Sequence, residues 1–252
     1  MKYPTAGFIV IGNEVLSGRT REGNLQTLAQ KLSTLGIEVR ETRIVLDLEP
    51  HIIDCIRELS SKYSYVFTSG GIGPTHDDIT AAAVAKAFNT ELYEDPAARE
   101  MLLSHYGQEN LTDERLKMAQ VPRGSRLIEN PVSKAPGFWL NNVLVMAGVP
   151  KIFEALVDSA LPFLEGGIPV ASGTLVVQIG ESLIAGIMSD VEANFSQLTV
   201  GSYPYFRAGQ HGTSIVTRSR NEKDVETAME TLTQRLEYVG YRVENQGIQL
   251  PK

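Results

Sequence analysis

Apolar positions in this chain fall into two spacings that alternate. Residues 6–11, Ala-Gly-Phe-Ile-Val-Ile, form a continuous apolar run of strand length, the pattern of a strand buried on both faces. Leu25, Leu28, Leu32 and Leu35 then recur at intervals of three and four, predicting an amphipathic helix over 23–35 that Gly36 stops. Residues 37–45 are a second strand leading to Asp47. Ile52, Ile53, Ile56 and Leu59 share one face of a helix over 51–59, and residues 64–67 are a third strand. The alanine-rich segment 77–88, with Asp77 and Asp78 in its first turn, predicts the next helix. The order βαβαβα with right-handed crossovers places the C-terminal strand ends on one sheet edge, where open sheets of this kind bind ligands.

Further on, 95–106 is a helix with Asp95 at its start and Pro96 in first position, and 112–119 is a short one. Residues 138–140 and 143–146 flank Asn141-Asn142 as a hairpin, followed by a helix to about 164. Glycines, a proline and small residues over 166–172 mark a linker. Beyond it come a strand (174–179), a helix (182–193), two strands (196–203 and 213–218), a helix (222–238) and a final strand (241–244). That is βαββαβ, the split arrangement of ferredoxin-like and KH-like modules. His211, beside Gly209 and Gly212, falls in an exposed loop on this reading. The expected organisation is an α/β domain over 1–165, with a three-layer, mostly parallel sheet and helices on both faces. The linker then leads to a small α+β domain over 173–252.

Composition narrows the class. The chain has 252 residues, 42% hydrophobic and 21% charged, with a net charge of −7, which argues against a nucleic-acid or anionic-membrane binder. One cysteine, Cys55, excludes an internal disulfide and sits in an amphipathic stretch as a core residue. No stretch reaches the ~18 consecutive apolar residues of a membrane span, and the N-terminus lacks a signal-peptide core. A cytoplasmic protein is expected.

The candidate chemistry lies between the third strand and the following helix, in Thr68-Ser-Gly-Gly-Ile-Gly-Pro-Thr-His-Asp-Asp-Ile-Thr80. Gly70, Gly71 and Gly73 permit positive φ and close backbone approach, and the free N–H groups of such a turn can hold phosphate oxygens. Asp77 and Asp78 would repel a bare phosphate, so they fit a divalent cation that bridges them to it; the alternative is a tight turn with two helix-capping acids. Glu14, in the loop 12–18 after the first strand, is either a metal ligand or a capping carboxylate. Glu14, Asp47 and the glycine turn all fall at strand C-termini, so three polar loops converge on one edge. A P-loop, a dinucleotide G-x-G-x-x-G, a G-x-S-x-G elbow and a zinc set are all missing. No haem, flavin or zinc cofactor is expected.

These motifs resemble the molybdopterin-binding (MoCF-biosynthesis) domain superfamily, in particular the branch represented by the N-terminal region of CinA, the competence/damage-inducible protein. A similar domain fronts eukaryotic FAD synthases. The stretch 68–80 is similar to its T-G-G-[LIT]-G-P-T-x-D-D-x-T signature, and Gly12-Asn-Glu-Val-Leu-Ser-Gly18 to its G-[DN]-E-[LI]-L-x-G. Asn24, Asp47, the segment from Asn130 through Ala135-Pro-Gly-Phe138, and Gly148-Val-Pro150 match further motifs in order. The tail from Thr174 resembles the small second domain of CinA, and the resemblance implies no C-terminal amidase domain and no nicotinamide-nucleotide deamidation here. The chain departs where Ala147 replaces a proline, where a glycine is lacking and Lys134 stands in 131–134, and where 19–23 lacks an acid.

The resemblance implies metal-dependent hydrolysis of a nucleotide pyrophosphate of the ADP-ribose or FAD type, or binding of molybdopterin or a nucleotide without turnover. A third option is an interaction protein that docks a partner through its second domain. On the first reading Asp77 and Asp78 hold Mg, Mn or Co, and Asp78 is also catalytic. Glu14 or Asp47 orients or deprotonates the attacking water. Ser17, Asn24, Thr68, Ser69, Gly70, Gly71, Gly73, Pro74, Thr75 and Thr80 form the ligand side on the strand edge. Lys134, Pro136, Gly137, Gly148 and Pro150 complete it, with Lys134 countering transition-state charge. The partners expected are a phosphorylated nucleotide or pterin and a second copy in a homo-oligomer.

Overall fold

A computed structural model describes residues 3–207 and 210–251. The chain divides into two compact units, Met1–Gly167 and Ile168–Lys252. The first unit runs β1 (Thr5–Ile11), α1 (Asn13–Leu16), α2 (Asn24–Thr34), β2 (Glu38–Val45), α3 (Glu49–Lys62), β3 (Tyr65–Ser69), α4 (Thr80–Ala87), β4 (Leu92–Glu94) and α5 (Pro96–Tyr106). It continues with α6 (Asp113–Leu116), β5 (Gln120–Pro122), β6 (Arg126–Ile128), β7 (Gly137–Leu140), β8 (Val143–Met146) and α7 (Pro150–Ala160).

Six strands form one sheet in the order β2-β1-β3-β8-β7-β6. The β2, β1, β3 and β8 ladders are parallel, while β7 runs antiparallel to both β8 and β6. The apolar run of β1 is continuous because the strand feeds two cores. Phe8 and Val10 pack with Leu28 and Leu32 of α2 and Phe153 and Leu156 of α7. Ile9 and Ile11 pack with Ile52, Ile56 and Leu59 of α3 and Ala83 and Val84 of α4. The result is the expected three layers, with helices on both faces of a mostly parallel sheet. Strand order reverses between β1, whose first crossover goes to β2, and β3 on its other side, which makes the crevice there a topological switch point.

Three local expectations change. Residues 12–18 are not all loop, since α1 makes one helical turn there. Asp77 and Asp78 do not open α4; the helix starts at Thr80 and both acids stay in the preceding loop. The segment between α4 and β6 contains a two-stranded ladder, β4 with β5, that no periodicity in three-residue strands could reveal. That ladder frames an excursion carrying α5 and α6. The start of α5 is as expected: Asp95 caps it by accepting from the Ala97 and Ala98 N–H groups at 2.9 and 3.0 Å.

The second unit runs β9 (Ala171–Val177), α8 (Ala185–Glu192), β10 (Thr199–Arg207), β11 (Gln210–Ser219), α9 (Glu222–Tyr238) and β12 (Val243–Gln249). Its sheet, β10-β11-β9-β12, is antiparallel throughout, the split βαβ pattern. Alternate residues Leu175 and Val177 face Val225, Met229, Leu232 and Leu236 of α9 in one core. Ala171 and Ser172, assigned to the linker from sequence, are already in ladder with Ser219 and Arg218. The β10–β11 hairpin is longer than expected. His211 is exposed but lies in β11 opposite Phe206, while its neighbour Gly209 is outside the described residues. Among the described residues no helix is long and apolar enough to cross a membrane.

Candidate functional site

A cleft of about 700 Å³ opens in the first unit, where β1, β2, β3 and β8 end. Its size lies in the range of small-molecule sites. The glycine turn after β3 forms its floor. Gly70 and Gly71 have φ of +109° and +71°. A Cβ on Gly70 would lie 2.2 Å from the Ile11 carbonyl oxygen, and one on Gly71 2.1 Å from Thr80 Oγ1. Gly73 does not use the positive φ open to it. Its missing side chain instead leaves room for Asp78, whose Oδ2 would lie 2.7 Å from a Cβ there.

The turn is fixed from behind. Gly70 N–H donates to Met146 O at 3.0 Å, Thr80 N–H to Gly71 O at 3.0 Å, and the fully buried Thr80 hydroxyl to Gly70 O at 3.0 Å. Thr80 therefore holds the turn and does not line the cleft. Asn24, nearly fully buried, donates from Nδ2 to Ser69 Oγ and Gly148 O, both at 2.8 Å, tying the start of α2 to the ends of β3 and β8. Its Oδ1 and the buried Thr68 hydroxyl have no hydrogen-bond partner among the described residues. Asn24, Thr68 and Ser69 thus lie under the floor as positioning residues.

The acids divide into two groups. Thr75 Oγ1 is 2.6 Å from Asp77 Oδ1 and 2.5 Å from Asp78 Oδ2, and Thr75 N–H donates to Asp78 Oδ2 at 2.8 Å. A hydroxyl has one proton, so it can satisfy only one of the two carboxylates at a time. The Thr75 hydroxyl, and behind it the Asp77 backbone N–H, hold the Asp77 carboxyl below the ordinary aspartate range. Glu14 and Asp47 also line the cleft, on the β1–β2 side. Asp47 Oδ2 accepts from the Asn13 N–H at 2.8 Å, which fastens α1. The Glu14 side chain has no hydrogen-bond partner among the described residues. Nowhere among those residues do three or more His, Cys, Asp or Glu side chains gather closely enough to hold an ion. The convergence of four carboxylates expected from sequence is therefore two separate pairs on one rim.

Of the remaining expected residues, Pro74, Thr75, Gly148 and Pro150 line the cleft. Pro136 faces a smaller adjoining cavity of about 120 Å³. Gly137 is inside β7, where a Cβ would meet Val145 O at 2.5 Å. Ser17 is exposed and donates to Glu14 O at 3.2 Å. Lys134 is turned away from the cleft: it has φ of +58°, and its Nζ lies 3.5 Å from Glu129 Oε1. The cause is Asn130, buried at 1% exposure, whose amide binds Ser133 Oγ, Ala135 O and the Val132 and Ser133 N–H groups. This knot presents Asn130, Ser133 and Ala135 to the cleft.

Sequence reading missed one wall. Tyr106, Arg115 and Met118, from the excursion between α4 and β6, line the cleft. Lys117 lines the adjoining cavity and its Nζ donates to the Thr75 carbonyl, a contact across 42 residues. No local pattern announces such a contact.

Two family models match the chain. One, described as "Probable molybdopterin binding domain", covers residues 7–166, and one for the FAD synthase middle domain covers 169–242. A protein from Pyrobaculum calidifontis is 36% identical over 212 residues, spanning 80% of this chain and 81% of its own length. One from Caldivirga maquilingensis is 36% identical over 205 residues, spanning 78% and 80%. Among solved structures, a CinA protein of unknown function from Thermoplasma acidophilum is 38% identical with a TM-score of 0.60, covering 64% of this chain and 98% of the other.

Proposed function

Starting from the fact that this chain belongs to the molybdopterin-binding domain family, we propose that its cleft hydrolyses a nucleotide pyrophosphate of the ADP-ribose or FAD type. The observation that carries this reading is the Thr75–Asp77–Asp78 group. Two carboxylates set 2.5–2.6 Å from one hydroxyl oxygen, at the edge of a peptide floor suited to phosphate, match the hard oxygen donors that a divalent cation prefers. Asp77 and Asp78, with Thr75, would hold Mg, Mn or Co, leaving most of the coordination to water and substrate phosphates. When bound, such a cation neutralises diphosphate charge and acidifies water.

The chain's own groups supply the rest. The glycine turn holds phosphate oxygens on the backbone N–H groups that follow Gly70, whose own N–H is engaged by Met146 O. Glu14, whose carboxylate has no hydrogen-bond partner among the described residues, accepts the proton of the attacking water, and Asp47 positions it by fastening α1. The water oxygen bonds to one phosphorus as the P–O–P bridge breaks. The bridging oxygen leaves on the other phosphoryl group, giving a nucleoside monophosphate and a second phosphate monoester. Lys117, against the Thr75 carbonyl, takes the charge-countering role expected of Lys134.

Binding of a phosphorylated pterin or nucleotide without turnover is the second reading, favoured because among the described residues no third carboxylate or histidine is placed to complete a metal site with Asp77 and Asp78. The test is AMP release from ADP-ribose and FAD by the purified protein with Mg²⁺, Mn²⁺ or Co²⁺. Hydrolysis abolished by Asp78→Asn supports the first reading. Tight binding with no AMP under any metal leaves the second, and an Asp78→Asn variant as fast as wild type refutes the assignment of the acids.

A further inference from the structure

The cleft has a wall that phosphate chemistry does not use. The Arg115 guanidinium lies 4.2 Å from the Tyr106 ring centroid, so two flat groups stack at the cleft margin. Arg115 Nη1 donates to the Asn110 carbonyl at 2.6 Å, and His105 and Tyr106 make a T-shaped ring contact at 4.8 Å. Arg115 forms no salt bridge among the described residues, in a chain with 30 Asp and Glu. Met118, polarizable and unbranched, completes the wall. All three are only half-buried and come from the excursion, lining the same cleft as the glycine turn. A phosphate or pyrophosphate alone would leave most of a 700 Å³ cleft empty, and it would have no use for a planar wall.

We propose that Tyr106, Arg115 and Met118 form a ring subsite that holds the planar heterocycle of the ligand, while the glycine turn and Asp77–Asp78 hold its phosphates. This rests on the reading above for the phosphate half only. A guanidinium and a tyrosine face both stack on π systems, and each base stacked on such a platform contributes about tenfold or more to affinity. The shared chemistry is a flat nitrogen heterocycle, whether purine or pterin.

The test is calorimetric titration of the full chain with four probes: ADP-ribose with both halves, inorganic pyrophosphate with no ring, and adenosine and pterin with no phosphate. Arg115→Ala and Met118→Ala are each expected to weaken ADP-ribose about tenfold and leave pyrophosphate unchanged. Tyr106→Phe, which keeps the ring face, is expected to bind like wild type. The tighter of adenosine and pterin identifies the heterocycle. If Arg115→Ala weakens pyrophosphate as much as ADP-ribose, the guanidinium is a phosphate contact and the subsite is refuted. If ADP-ribose, adenosine and pterin all bind wild type no better than pyrophosphate, the subsite is likewise refuted while the phosphate reading stands. If adenosine or pterin binds through Arg115 and pyrophosphate does not bind at all, the subsite stands and the phosphate reading falls.

Discussion

Gly71→Ala is the sharpest test of how the floor is built. The new Cβ would sit 2.1 Å from Thr80 Oγ1 and 3.2 Å from Thr80 Cβ, at a φ of +71°. The left-handed backbone costs about 1 kcal/mol for a non-glycine residue. Thr80 is fully buried, so relief requires moving its hydroxyl off Gly70 O and displacing the first turn of α4. The lost hydrogen bond is worth about 1 kcal/mol, and overpacking adds about 1–3. The total is roughly 3–5 kcal/mol from those terms. Thr80→Ala alone removes the hydrogen bond and costs about 1–2 kcal/mol. With the hydroxyl gone, Gly71→Ala should cost about 1–2 kcal/mol less than in wild type, a coupling typical of groups in contact. Trp139 is the only tryptophan and lies in β7, so urea unfolding followed by its fluorescence reports the first unit. If the two substitutions add to within about 0.5 kcal/mol, the hydroxyl is not what excludes a side chain at 71.

Two further perturbations follow from the same geometry. Lys134→Ala should leave ADP-ribose turnover close to wild type, because its Nζ faces Glu129, whereas Lys117→Met should lower kcat; the reverse ranking in steady-state assays would restore Lys134 to the site. Glu41 accepts from Lys62, Tyr63 and Arg43, which hold its carboxyl down at about 2. A depressed carboxylate stabilises the fold fully above its unfolded value near 4.5 and loses that contribution as pH falls toward 2. Glu41→Gln should flatten the stability profile across that window, measured by urea midpoints, and an unchanged slope would show that Glu41 is not linked to acid unfolding.

The fold was legible because burial on two faces, as in β1, and helical spacing, as in α2 and α9, leave marks a few residues long. The glycine turn was legible for the same reason: Gly70 and Gly71 answer to backbone geometry within the motif itself. What failed depended on distance. Asp77 and Asp78 looked like helix-opening acids, yet Thr75, two and three residues earlier, holds both in the loop, and α4 waits until Thr80. Lys134 stood nearest the motif in composition, but the buried amide of Asn130 turns that loop over. Lys117 reaches the site from the excursion, whose framing strands are too short to show a period.

Gly70 and Gly71 make the base of the cleft out of peptide alone, and the nearest Gly70 atom lies 3.4 Å from where a Cβ on Gly148 would be. A surface without side chains has no rotamers to freeze when a ligand lands on it. Side chains that line the cleft elsewhere, such as Tyr106 and Arg115 of the excursion or Ser133 beside the Asn130 knot, can be exchanged while that peptide base stays the same.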